Sequence, residues 1–443
     1  MARSALLLLI LALAVPSAGA ADAPSPPSAP LTAAAYVRSA LAASHEVREA
    51  LESWRAARDQ YRAQLAAMLL PTLSFAGQDY LFGDDPSLGY RYHSWRVRRG
   101  DMTTNTTASW NVFNGFQDWE RTRASGESLN SAARALDAAR QDRAFAAIQA
   151  FYALSANARL RDVARDDLAA QKAQYAETQD LYKHGLKSLA DLYKSENDWR
   201  ASEIRLVSAD AAYRSALQPF NELIAQTPWT EHVLDDALTP GATVPPDLAG
   251  DAARLPERRP EIRRALSEER RAGIQERQAL LGLLPTLSVV AQWNRQQTAL
   301  NGLPSGSLGI TSSNRQVGLT LSLPFGFNGA TQGFAYAAAR ASRRGAEAAA
   351  DAALRSARDD LYSAWIGLES ATSTYELSER EESIAARGLK IVETEYRQGT
   401  ADALRMAQAR SDLLSARVQT ATALENILVD RAAYERAAGV PLW

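Results

Sequence analysis

Apolar positions along this chain recur with two periods. In the C-terminal half, Leu287, Val289, Ala291 and Trp293 alternate with Ser288, Gln292 and Asn294, broken only by Val290. Val317, Leu319, Leu321 and Leu323 then alternate with Gly318, Thr320 and Ser322. A period of two places one apolar and one small polar face on each strand. Ala108, Trp110 and Val112 alternate in the same way with Thr107, Ser109 and Asn111, after a shorter start at Leu73 and Phe75 that Gly77 and Asp79 weaken. Turn residues separate the members of each pair: Asp84-Asp85-Pro86-Ser87 in the first, Asn301-Gly302-Leu303-Pro304 in the second. The pattern predicts two β-hairpins, at about 72–113 and 286–325.

Elsewhere the period is helical. No proline lies between Pro86 and Pro219, or between Pro324 and Pro441. A proline inside a helix costs about 3 kcal/mol, so both gaps admit very long helices. Leu354, Leu361, Trp365, Leu368 and Tyr375, then Leu389, Val392 and Tyr396, form a heptad-like seam. Long helices are predicted over 117–181 and 332–397, each about 98 Å long at about 1.5 Å per residue. Tyr182-x-x-Gly185 and Tyr396-x-x-Gly399 supply glycine C-caps, and return helices follow over 189–223 and 404–438. Leading helices over about 32–70 and 257–284 stop at Leu-Pro. A proline cluster from Pro219 to Pro260 reads as an irregular connector, assigned to 228–256.

These halves are copies. Leu69-Leu70-Pro71-Thr72-Leu73-Ser74 recurs 214 residues later as Leu283-Leu284-Pro285-Thr286-Leu287-Ser288, and Phe113-Asn114-Gly115 as Phe327-Asn328-Gly329. The Tyr-x-x-Gly turns keep that offset, and Glu46-Val47-Arg48 aligns with Glu261-Ile262-Arg263 one residue out of it. Several matches in one register establish a tandem duplication. Repeat 1 is taken as 32–227 and repeat 2 as 257–443. The fold class is mainly α with a small β part: paired helical hairpins, each with a β-hairpin at its far end.

Composition narrows the function. Cysteine is absent, which removes disulfides, thiol catalysis and a lipidated N-terminal Cys. The net charge of -2 argues against a nucleic-acid partner. Arg3, the apolar run from Leu6 to Val15 and Ala18-Gly19-Ala20 form a secretory signal over 1–20, followed by a Pro- and Ala-rich leader over 21–31. His45, His93, His184 and His232 are scattered without a helical metal pair, and no nucleophile elbow is present. No enzyme site, cofactor or metal is expected. The basic run Arg258-Arg259 to Arg263-Arg264 reads as a solvated helix start.

An exported chain with four membrane-type strands cannot close a barrel alone, since the smallest membrane barrels have about eight strands and open edges cannot face lipid. Two or three chains must pool their strands, with the helices gathered into a tube below. A secreted or periplasmic coiled-coil structural protein without a pore is the alternative, but it has no need of amphipathic hairpins at one place in each repeat.

The Leu-Pro-Thr-Leu-Ser strand starts, the Phe-Asn-Gly strand exits, Arg259-Pro260-Glu261-Ile262 and the Tyr-x-x-Gly turns together resemble the TolC-like outer-membrane efflux proteins over nearly the whole mature length. The resemblance implies a homotrimer with a twelve-stranded barrel in outer-membrane lipid and a periplasmic helical tunnel. It implies passive export of small molecules, metals or proteins in a tripartite efflux or type I secretion system, with a periplasmic adaptor and an inner-membrane pump as partners. It places adaptor docking and the gate at Tyr182, Gly185, Asp191, Tyr396, Gly399, Asp402 and Arg405. Two departures stand out: the family's gate arginine is Ala401 here, and its acidic ring positions are Arg405 and Gln408. Asp402 and Arg405 are expected to form a substitute network. Trp110, Val112, Val289, Trp293, Leu319, Leu321 and Leu323 are the expected lipid-facing positions, with Trp110 and Trp293 in an aromatic girdle.

Overall fold

The computed structural model describes residues 30–79, 82–83, 96–97, 102–235, 247–282, 284–298, 310–323, 328–398 and 400–443. The expected signal peptide, most of the leader, the turns of both β-hairpins and Gly399 lie outside the described residues.

The leading segment is two helices, α1 (Ala33–Ala43) and α2 (His45–Leu69), not the single helix expected. Ser44 has extended backbone, and its hydroxyl accepts the Val47 N–H at 3.2 Å, so the second helix is capped and starts afresh. Strands β1 (Thr72–Asp79), β2 (Phe82–Gly83), β3 (Arg96–Val97) and β4 (Met102–Phe113) follow. The long helix α3 (Gln117–Lys183) has 67 residues, about 100 Å, and α4 (Leu189–Leu223) returns.

The same order then repeats. Helices α5 (Leu248–Arg258) and α6 (Pro260–Leu281) lead into strands β5 (Thr286–Thr298) and β6 (Ile310–Ser322). Helices α7 (Asn328–Arg397, 70 residues) and α8 (Ala403–Ala437) complete the copy. Three prolines expected in the connector are absorbed by helices. Pro219 sits inside α4, Pro256 inside α5, and Pro260 is the first residue of α6, where its missing N–H costs nothing. The second copy therefore begins at Leu248, and α5 is the counterpart of α1, displaced by 215 residues.

Each copy has a core where its first short helix meets the long hairpin. In the first, Tyr36 stacks on Phe220 at 4.0 Å between ring centroids, with Phe151 tilted against both. The Tyr36 hydroxyl donates to the Phe220 carbonyl at 2.8 Å, and burial pushes its pKa upward. In the second, Leu255 and Ile262 pack against Leu361, Leu368, Leu424 and Ile427. Arg259, expected in a solvated run, is buried at this joint. It bonds the Asp360 carboxylate at 2.9 Å and the Ala357 carbonyl at 3.3 Å, which ties the α5–α6 corner to α7.

The helices stand side by side in one layer. Near the sheet the order is α2, α3, α6, α7, and towards the far tip it is α4, α3, α8, α7. Helix α7 is one edge throughout; α2 and then α4 form the other. No helix among the described residues is long and apolar enough to cross a membrane.

Candidate functional site

The first candidate surface is the sheet. Its order is β1-β4-β5-β6, all antiparallel, so the two hairpins join through β4 and β5. Thr72 lies opposite Ser109 and Thr286 opposite Ser322, the same register in both copies. Side chains from the four strands therefore form rows across one face. One row is Leu73, Ala108, Ala291 and Val317; the next towards the helices holds Trp110, Val289 and Leu319. A bulge between Asn111 and Phe113 sets Val112 and Phe113 against Leu287, which pairs with Leu321. Leu323 follows the end of β6 at the place that Trp110 occupies in the first copy. All seven expected lipid-facing residues thus share one side of the sheet. Val317, Leu319 and Leu321 are at least 70% exposed, and nothing among the described residues covers them.

The opposite face is polar. It carries Ser74, Gln78, Thr103, Asn105, Thr107, Ser109, Ser288, Gln292, Asn294, Asn314, Gln316 and Thr320, and Gln316 bonds Gln292 at 2.6 Å. Val290, the break in the sequence pattern, is on this side. Alternation along the strands gives the sheet one apolar and one polar face, the pattern of a membrane barrel wall.

The second candidate surface is the tip opposite the sheet. Gly185 has φ +72, its N–H bonds the Tyr182 carbonyl at 2.9 Å, and the Leu186 N–H bonds the Leu181 carbonyl at 2.9 Å. This is a Schellman C-cap, which only glycine meets without strain. Three residues on, Ser188 and Asp191 form a capping box that starts α4. The Ser188 hydroxyl and backbone N–H, bonded to the Asp191 carboxylate, hold it below the usual carboxylate range. Asp191 is thus occupied within its own turn.

The second turn is built alike. The Thr400 N–H bonds the Glu395 carbonyl at 2.9 Å, and Asp402 caps α8 by accepting the Arg405 backbone N–H at 2.8 Å. The expected Asp402–Arg405 side-chain network is not what forms. The Arg405 guanidinium pairs with Glu395 at 3.1 Å, because Asp402 is committed to the cap and Glu395 lies on the facing last turn of α7. Tyr396 is buried among Val392, Ala401 and Met406, while Tyr182 remains exposed. The Lys187 ammonium sits 4.3 Å over the Tyr396 ring and joins the two turns. Ala401, where the family pattern has arginine, is part of that apolar cluster.

Lys187 and Glu395 were missed by sequence reasoning. Their partners come from another repeat or from across a turn, and neither belongs to a motif. Among the described residues no group of His, Asp and Glu side chains is arranged to hold a metal.

The structure as a whole is a four-stranded amphipathic sheet carried on duplicated helical hairpins, the longest helices about 100 Å long. Residues 253–440 match the family model described as outer membrane efflux protein. No curated protein matches the chain in sequence. Solved structures match its fold over both repeats. The Campylobacter jejuni CmeC outer membrane channel superposes with a TM-score of 0.75 at 16% identity, covering 92% of this chain and 85% of that one. The outer membrane protein VceC of Vibrio cholerae gives 0.73 at 16% identity, covering 93% and 97%. The open state of the Neisseria gonorrhoeae MtrE outer membrane channel gives 0.71 at 17% identity, covering 92% and 88%. The second repeat is thus similar in sequence to outer membrane efflux proteins, and the whole chain has the fold of these outer-membrane channels.

Proposed function

We propose that three copies of this chain form a continuous duct, with a twelve-stranded barrel in the outer membrane and a helical tunnel in the periplasm. The observation that carries the reading is one four-stranded sheet, mounted on the ends of the long helices, whose apolar face is uncovered and whose two edges are unpaired among the described residues. Unpaired edges cannot face lipid, so β1 and β6 must pair with neighbouring copies. Two copies would give eight strands, whose interior side chains fill. Three leave a lumen.

Trp110, Val112, Val289, Trp293, Leu319, Leu321 and Leu323 then face lipid. The tip reaches towards the inner membrane, where a periplasmic adaptor docks on the Tyr182–Gly185 and Tyr396–Gly399 turns and an inner-membrane pump supplies the energy. Leu186, Leu189, Tyr193 and Leu404 are exposed apolar side chains beside those turns, suited to such a partner. At the tip, the Lys187–Tyr396 stack and the Arg405–Glu395 pair take the place of the family's gate network. Cargo passes without a chemical step.

Gly185→Pro tests the docking role, because proline cannot adopt a positive φ. The variant is expected to assemble with normal mass and to lose export. Normal export would refute docking at this turn. Discrete conductance steps from the purified protein in planar bilayers are expected as well, and their absence would count against the duct.

A further inference from the structure

Arg295 and Arg315 are the only charged residues in β4, β5 and β6, and those strands contain no Asp or Glu at all. The register puts both on the apolar face. Arg315 lies opposite Trp293, and Arg295, two residues further along β5, lies opposite Ser313. Such diagonal neighbours stand about 7–8 Å apart, within joint reach of one ligand for side chains of this length. Both occupy the border of the apolar band, at the end away from the helices. Rows below them hold Leu73, Val317, Val289 and Leu319; the row beyond holds Asp79, at the β1 edge, with Met102, Gln297 and Thr311. The Arg315 guanidinium rests 5.0 Å from the centre of the Trp293 ring, which fixes its position. Thr104 and Ser313 flank Arg295 with hydroxyls.

We propose that Arg295 and Arg315 form a binding site for the phosphate of a phosphorylated glycolipid in the outer leaflet. The proposal rests on the duct reading, which sets this end of the strands at the outer surface. Guanidinium groups take phosphate oxygens in bidentate, charge-assisted pairs. A pair of such groups facing lipid has no carboxylate on its own strands, and the one acidic position of the sheet, Asp79, stands two strands from Arg295 and one row beyond, so the pair is complementary to an external anion. The apolar rows directly below accept the acyl chains of the same molecule. An outer-leaflet glycolipid supplies phosphate and chains together at this depth.

The test uses the assembled protein in phosphatidylcholine vesicles doped with bis-phosphorylated lipid A or with the same lipid after enzymatic dephosphorylation. Retained lipid is counted by native mass spectrometry after flotation. The wild-type protein is expected to retain the phosphorylated form at least about tenfold more strongly. The Arg295→Gln, Arg315→Gln double variant is expected to float and assemble normally while losing that preference. Equal retention of both lipids, an unchanged preference in the double variant, or equal competition by phosphatidylglycerol or inorganic phosphate would each overturn the site. A protein that does not float with vesicles would overturn the duct reading along with it; one that floats without preference would overturn the site alone.

Discussion

Asn221 shows how single buried polar groups fix the ends of long elements. It lies on α4 with no exposure, and its amide donates to the carbonyls of Pro228 and Thr230 at 3.1 and 2.9 Å. Its carbonyl oxygen is 2.7 Å from His232 Nε2, and burial holds His232 below its usual pKa, so the ring is a neutral donor. Asn221→Ala strands these partners and is expected to cost about 1–3 kcal/mol, read from denaturant unfolding. The histidine sets a pH dependence. Its folded pKa lies below the unfolded value of about 6.5, so the unfolded chain binds the proton more readily. Stability is therefore fully present above that value and falls as pH drops through it. His232→Gln should flatten the slope between about pH 7 and pH 5; an unchanged slope would show that other groups set it. None of this was legible beforehand. His232 reads as one of four scattered histidines, and Asn221 as an ordinary polar position in a helical run.

At the scale of elements, two glycines at similar φ separate backbone strain from packing. A Cβ on Gly185 would meet nothing within 4 Å, whereas one on Gly115, at φ +62, would lie 2.7 Å from Leu284 Cβ and 3.0 Å from the Leu281 carbonyl oxygen. Gly185→Ala carries only the left-handed penalty of about 1–2 kcal/mol. Gly115→Ala adds a clash at the joint of sheet and helix, and about 3 kcal/mol in all is expected. Thermal unfolding of both variants should rank them in that order, and equal losses would remove the packing term. The hairpins and long helices could be read from the sequence because period and proline placement act locally. The breaks at Ser44 and Arg259 could not. Ser44 sits within a pattern that is helical on both sides, and the capping bond that interrupts it is visible only in three dimensions. Pro256 was misread for the opposite reason: a helix of 11 residues accommodates it near its end.

For the whole molecule, the decisive feature is that the single layer of helices is open. Helix α2 has no fully buried residue along its 25 positions. Leu377, Ile384 and Ile391, seven residues apart on the edge helix α7, are each at least 60% exposed, and Ile204 and Val207 on the other edge, α4, are more so. Measured from the tip at about 1.5 Å per residue, Val207 and Leu377 stand at about the same height, near 30 Å. Edge α7 of one copy is expected to pack on edge α4 of the next in a heptad seam. A Val207→Cys, Leu377→Cys variant tests this, because the chain has no cysteine of its own. Oxidation should yield covalent dimers and trimers that either single variant lacks, and a monomer band alone would exclude that pairing. That four amphipathic strands stand as two hairpins on the long helices was legible from their number and pattern. Which helix faces stay uncovered was not, because exposed and buried apolar positions look alike in sequence. The central claim, that several chains complete one barrel, is tested most directly by the mass of the purified protein in detergent, from light scattering with the detergent contribution subtracted. The account predicts the mass of three chains. A monodisperse monomer that stays soluble without detergent would contradict it.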